Sequence, residues 1–423
     1  MKKQIVLGLA LAVSAAPAFA TKARMLALGE NINENIGSLY FSDSRNMFQN
    51  AAYINMYKNM VITEWGGSAV GTAGTGSAKK DTDNNPQAEG GVTYGHGKYA
   101  YGLYLGAESP YTNEIRTYTR SIQNSSFNQD NQIDAFFGGD EGELKWGTNV
   151  TYSNSKDSSQ GARQTSTSVR FGFIKNKLEG FANIALQNQA RMQSRTGAGG
   201  TTLIDGTDKF QGKRGFELGA TYDLSAVKVF GYVRHAAWEH NAMSTAANNI
   251  TAYTGKFDGT YWLYQLGAGK EHKMTDKTTV FTKLEALAFY RNVKGTSGAL
   301  NGKKVDLDDM RIPLTIGLEH DAASWLTVRG SIVQNIWSKV DNNYHGNDGS
   351  IAPAIVTTVR QNGKGTANNS TNVNAGATLK FGDLSVDGVV GTNNNGTTTD
   401  TAGEKGILSL DNLMTRVAMT YKF

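Results

Sequence analysis

Hydrophobic and polar residues alternate with period two in short stretches over most of the chain, and the stretches come in pairs. Alternate side chains of a strand point to opposite faces, so each stretch predicts a β-strand with one apolar and one polar face. In 143–152, Leu144, Trp146, Val150 and Tyr152 oppose Lys145, Gly147, Asn149 and Thr151. In 213–222, Phe216, Leu218, Ala220 and Tyr222 oppose Glu217, Gly219 and Thr221; in 309–319, Ile312, Leu314, Ile316 and Leu318 oppose Arg311, Thr315, Gly317 and Glu319. Seven tight turns are expected inside the pairs, near Gly95-His96-Gly97, Gly138 to Gly142, Lys175-Asn176-Lys177, Asp223-Leu224-Ser225, Met274-Thr275-Asp276, His320-Asp321-Ala322 and Phe381-Gly382-Asp383. A first strand near 57–66 and a last near 412–423 bring the expectation to roughly 16 antiparallel strands.

The intervals between pairs are different in kind. Segments 67–86, 109–130, 188–211, 239–257, 291–308, 338–370 and 393–411 are long and rich in Gly, Asn, Ser, Thr and charge, and 154–163 is short. Short turns on one rim and long loops on the other predict an all-β, transmembrane, antiparallel up-and-down β-barrel, with the turns periplasmic and the loops extracellular. The pairs are not sequence repeats, which argues against a propeller. A soluble β-sandwich shares the alternation but turns its apolar face inward. The ends of the chain separate the two.

Met1, Lys2 and Lys3 form a basic start, Ile5 to Val13 an apolar stretch, and Ala18-Phe19-Ala20 a small-x-small cleavage site, so residues 1–20 read as a signal peptide. No later stretch approaches the roughly 18 apolar residues of a spanning helix. Residues 21–56 read as an N-terminal lead-in or plug and 57–423 as the barrel. In the last strand Val417, Met419, Tyr421 and Phe423 share one face against Arg416 and Thr420 on the other. This terminal T-Y-K-F resembles the assembly signal of bacterial outer-membrane barrels, which assigns Tyr421 and Phe423 to assembly.

Composition agrees. The 49 glycines, 5 prolines and 18 tyrosines suit strands joined by polar loops. Without Lys2 and Lys3 the 42 basic residues become 40 against 37 acidic ones, about +3, which is too little to serve a nucleic-acid partner. The chain has no cysteine, excluding disulfides and thiolate metal sites. His235, His240, His272, His320 and His345 are scattered without a catalytic motif, so no enzyme is expected. Asp341 with Asp348, and Asp81 with Asp83, lack EF-hand spacing and read as solvated loop residues; neither metal nor cofactor is expected.

A barrel of about 16 strands is too wide to be filled by its own wall and leaves an aqueous channel. With the polar parity inward, the expected pore lining includes Lys98, Lys145, Arg170, Glu179, Glu217, Arg234, Lys283, Glu285, Arg311, Arg329 and Arg416. The slight excess of basic residues suggests mild anion preference. Aromatics near the turns, including Tyr99, Trp146, Tyr222 and Phe381, suggest an interfacial girdle.

Signal peptide, strand grammar and terminal aromatic together resemble general diffusion porins, in particular the major outer-membrane porins of predatory Gram-negative bacteria. The resemblance implies passive passage of ions and small hydrophilic solutes, residence among outer-membrane lipids and lipopolysaccharide, dealings with the barrel-assembly machinery, and a homotrimer. One departure is clear. Such porins fold their third loop into the barrel, yet the corresponding 154–163 is the shortest here, leaving 338–370 or the N-terminal segment to narrow the channel. The alternative rests on residues 23–54, where Ala27-Leu28-Gly29 and Phe48, Asn50 and Ala52 are similar to the plugs of fatty-acid-transporter-type barrels. That reading needs an apolar lumen, whereas the inward parity reads as polar. A structural or adhesive barrel is the third reading.

Overall fold

The computed structural model describes residues 21–30, 36–66, 87–107, 131–157, 162–193, 207–243, 254–297, 301–345, 363–365, 371–392 and 416–423. The signal-peptide reading of 1–20, and most of the long inter-pair segments, lie outside them.

Sixteen strands close into one antiparallel barrel. They are β1 (Met60–Gly66), β2 (Gln87–His96), β3 (Tyr99–Leu105), β4 (Gln132–Asp140), β5 (Leu144–Asp157), β6 (Ala162–Lys175), β7 (Leu178–Gln193) and β8 (Thr207–Asp223). Then follow β9 (Lys228–Met243), β10 (Thr254–Lys273), β11 (Thr278–Gly295), β12 (Lys304–Ala323), β13 (Leu326–His345), β15 (Thr371–Phe381), β16 (Leu384–Thr392) and β17 (Arg416–Lys422). A seventeenth, β14 (Gly363–Gly365), only extends the ladder at the far end of β13. Each strand pairs with its sequence neighbour, β13 pairs with β15, and β17 returns to β1 with Val61 opposite Tyr421. Closure leaves no edge strand unpaired.

The strands stand where alternation puts them, but several run longer. β13 continues to His345 and β12 begins at Lys304, both inside stretches read above as loop. In β12 the alternation itself runs on, with Val305 and Leu307 turned to the buried aromatic cluster against Lys304, Asp306 and Asp308, inside a stretch whose charge reads as loop. The tight turns use backbone that few side chains favour: Gly97 and Asn176 adopt φ of 56° and 53°, as two-residue hairpin turns require.

Burial decides between sandwich and barrel. Leu103, Leu105, Val150, Tyr152, Leu218, Ile316 and Leu318 are exposed on the outside, while Tyr104, Asn149, Thr151, Glu217 and Thr315 face inward and are buried. An apolar exterior around a polar interior is the construction of transmembrane barrels and the reverse of a water-soluble sheet protein. At the short-turn rim Tyr222, Phe381, Tyr421 and Phe423 are exposed, and the Phe423 amide donates to the Asn59 carbonyl at 3.0 Å. Trp325, which the sequence pattern did not single out, joins them.

Candidate functional site: a filled lumen and a parted wall

The described residues between Thr21 and Asn59 lie inside the barrel. A short helix, α1 (Lys22–Ala27), is followed by two 3-10 helices, Ser44–Phe48 and Ala51–Asn55. Each is started by a side-chain cap: Thr21, Asp43 and Asn50 accept from the backbone amides of Arg24, Arg45 and Ala52. Such caps satisfy amides that a segment enclosed by a barrel cannot offer to bulk water. Met25, Leu28, Leu39, Tyr40 and Phe41 pack against one side of the lumen, and Met47, Phe48, Tyr53, Ile54 and Tyr57 against the other.

Glycine makes room for them. Gly102, Gly138, Gly147 and Gly172 sit on β3 to β6 beneath the second 3-10 helix. A Cβ at Gly147 would stand 2.2 Å from the Ala51 carbonyl oxygen, and one at Gly172 1.8 Å from Asn50 Oδ1, so any side chain there displaces the segment.

Charge fixes the rest. Arg24 Nε donates to Glu319 at 2.9 Å and its Nη1 to Asp43 at 3.4 Å. Arg329 reaches the same Glu319 at 2.5 Å and Asp387 at 3.0 Å, while the Thr21 hydroxyl donates to Asp387 at 3.3 Å. Lys22 Nζ meets Glu89 at 2.6 Å, and Arg45 meets it at 3.1 Å. Glu30 accepts from Lys283 at 3.0 Å, and Lys283 also pairs with Glu285 at 2.9 Å. Tyr53 donates to Glu179 at 2.8 Å, which Lys228 holds from the other side at 2.8 Å. Five of the residues expected to line a pore, Glu179, Lys283, Glu285, Arg329 and Glu217, are thus engaged, the last by Arg234 at 2.9 Å.

The others divide by depth. Arg170 is buried against Asp134 at 2.7 Å and Asn149 at 2.6 Å, and Arg234 is buried with Glu217. Arg311 pairs with Asp309 on the same strand. Lys98 and Lys145 belong to the short-turn rim instead, paired with Glu141 at 2.8 Å and Asp140 at 2.7 Å. The backbone of Arg416 pairs with Val389, and its side chain lies outside the described residues. These pairings of opposite sign replace the basic ring that anion preference would need.

Burial pushes the Asp43 carboxyl up to about 7, with the Arg24 guanidinium and the Arg45 amide pulling it down and Glu64 adding to the rise. Burial raises Glu30 as well, against the pull of Lys283. A carboxyl raised on docking takes up a proton, so docking is favoured below the free-carboxyl value and loses stabilisation as pH rises through about 7. A spin label at Met56→Cys, an exposed position on the segment, should therefore become more mobile between pH 5 and pH 8. Increasing order over that interval would contradict the linkage.

The inward face is mixed: on β2 to β6 Tyr104 and Phe136 stand among Glu89, Asp134, Asn149 and Arg170, whereas on β7 to β11 aromatics dominate around Glu217, Arg234, Lys283 and Glu285. There Phe181, Phe230, Tyr232, Trp238, Phe257, Tyr261, Phe281 and Phe289 point inward and are buried in one cluster. The signal was present in β9, where Phe230, Tyr232, Ala236 and Trp238 share a parity with Arg234. A lone arginine in that register conceals an apolar face.

The wall itself parts in two places. β7 pairs with β8 at Ala185–Gly215 and again at Gln189–Gln211, and the three residue pairs between are open. Both strands carry a register shift at this height: Leu186 is in excess against β6, and Lys213 against β9. A bulge on each of two adjacent strands bends them apart. The resulting narrow cleft is lined by Ile36 of the lumenal segment, inward-facing Arg170 and Glu217, and the exposed Leu186 of the outer surface. A second parting lies between β11 and β12, where pairing lapses between Leu284–Leu314 and Leu287–Arg311.

No protein family matches the sequence, and no curated protein does. Among solved structures the chain is similar to the toluene transporter TbuX of Ralstonia pickettii, at 12% identity over 97% of this chain and 100% of that one, with a TM-score of 0.40. It is similar to the toluene transporter TodX of Pseudomonas putida, at 11% identity over 96% and 99%, TM-score 0.36. OmpT, an outer membrane protein of Vibrio cholerae, matches at 12% identity over 86% and 98%, TM-score 0.33. These scores are too low to carry an argument about what this chain does. The class rests on the barrel's own construction: a 16-strand antiparallel β-barrel of the outer-membrane type.

Proposed function

We propose that the protein is an outer-membrane channel for small apolar or amphipathic solutes, closed along its axis by residues 21–59 and open sideways between β7 and β8. The observation that carries this reading is one cleft lined both by Ile36 inside the barrel and by Leu186 outside it. A solute that reaches the cleft beside Ile36 gains the membrane by this route, without following the axis that the packed segment closes. An apolar solute gains by leaving water at each stage. Exposed charges beside the cleft, Lys213 with Asp258 at 3.0 Å, are consistent with an exit at the border of the apolar band. Inward charges of both signs would suit hydrophilic solutes instead, but the buried ones are paired with each other or with the segment.

The passage is tested by closing it. Gln187→Cys puts a unique thiol in the cleft of a cysteine-free chain. Alkylation with a bulky maleimide should lower uptake of the apolar dye N-phenyl-1-naphthylamine into proteoliposomes by about tenfold, while the unalkylated variant behaves as wild type. Equal uptake before and after alkylation would sink the sideways route.

A further inference from the structure

The parting between β11 and β12 has its cause in one residue. Pro313 has no amide hydrogen, and the ladder is interrupted where Ile312 and Pro313 face Glu285 and Ala286. On the other side of β12 the register shifts at the same point, leaving Ile336 of β13 in excess. A cleft of about 400 Å³ results, lined by Tyr264, Leu266 and Trp337 of the outer surface and by Tyr232, Gln265 and Leu287 of the inner. Leu266 is 69% exposed and Gln265 only 4%.

Gln265 makes this cleft more than a gap filled by lipid. Its Nε2 donates to Glu285, and a carboxylate only accepts, so the orientation of the amide is fixed. Its Oε1 is buried and has no hydrogen-bond partner among the described residues. A buried acceptor left without a donor is costly unless something brings one. Aromatic rings on both sides offer edge and face contacts to a flat apolar body.

The geometry points to a membrane-facing binding site for a small aromatic molecule bearing one hydrogen-bond donor, its ring among Tyr232, Tyr264 and Trp337 and its donor on Gln265 Oε1. The site shares no lining residue with the β7–β8 cleft and does not depend on the transport reading.

Bromine quenches nearby tryptophan, so folded protein in detergent is titrated with 4-bromophenol and with bromobenzene. Saturable quenching is expected with both, and Trp337→Phe should reduce its amplitude, leaving the part that comes from Trp262 stacked on Tyr264. Gln265→Leu should raise the half-saturation concentration for 4-bromophenol about five- to tenfold, the worth of one hydrogen bond, and leave that for bromobenzene within about twofold. Ala286→Phe, which fills the cleft, should abolish saturation for both and serves if Gln265→Leu does not fold. Quenching that rises linearly in wild type, saturation that survives Ala286→Phe, or an equal shift for both ligands in Gln265→Leu would overturn the assignment.

Discussion

Proteoliposomes carrying protein without residues 22–56 should swell in isosmotic sugar at least about tenfold faster than those carrying the intact chain, because a 16-strand wall alone leaves a wide aqueous channel. The removed residues fill that space. Met25, Leu28, Tyr40, Phe41, Phe48 and Ile54 are all buried, and the glycines of β3 to β6 leave the wall bare once Asn50 and Ala51 are gone. The wall should survive the deletion, since Arg329 keeps Glu319 and Asp387, Lys283 keeps Glu285, and Lys228 keeps Glu179. A heat-modifiable band on gels checks that it does. Unchanged swelling by a folded deletion protein would mean that something else closes the axis.

Arg329→Met should be the most damaging single substitution in the wall, at about 3–5 kcal/mol. The guanidinium is buried between Glu319 and Asp387 and also donates to Thr378. Methionine fills much of the volume and leaves two carboxylates without their shared counter-ion. Part of the loss falls on the segment, since Glu319 also holds Arg24 and Asp387 accepts from Thr21. The urea midpoint of the folded protein reads the effect, and Lys98→Ala provides the contrast. Lys98 pairs with Glu141 at the half-exposed rim, where such pairs are worth about 0–1 kcal/mol. Equal midpoints for the two variants would contradict the burial argument.

Those two residues stood side by side among the pore-lining candidates, which shows what alternation conveys. It tells inside from outside, and for Tyr101 against Tyr104, or Leu218 against Glu217, it does so correctly. Depth and partner are beyond it. Lys98 is at a turn and Arg329 is enclosed by two carboxylates, one of them 58 residues away in sequence.

The strands and their closure were legible because a period of two is local. The aromatic face of β7 to β11 was not, because Glu217, Arg234, Lys283 and Glu285 share its parity and mark it as polar. The filling of the lumen needed contacts between residues hundreds of positions apart, such as Glu30 with Lys283. One sequence clue went unread: Gly102, Gly138, Gly147 and Gly172 fall on the inward parity of four successive strands, where a water-filled lumen has no need of missing side chains. Pro313 in the middle of a long strand was another, since a ladder cannot pass through it intact.

Single-channel recording of the intact protein in a planar bilayer, beside protein lacking residues 22–56, tests the closed axis most directly. The intact chain should show no sustained open level, and the shortened chain a steady one. A sustained open level of the same size in both would contradict it.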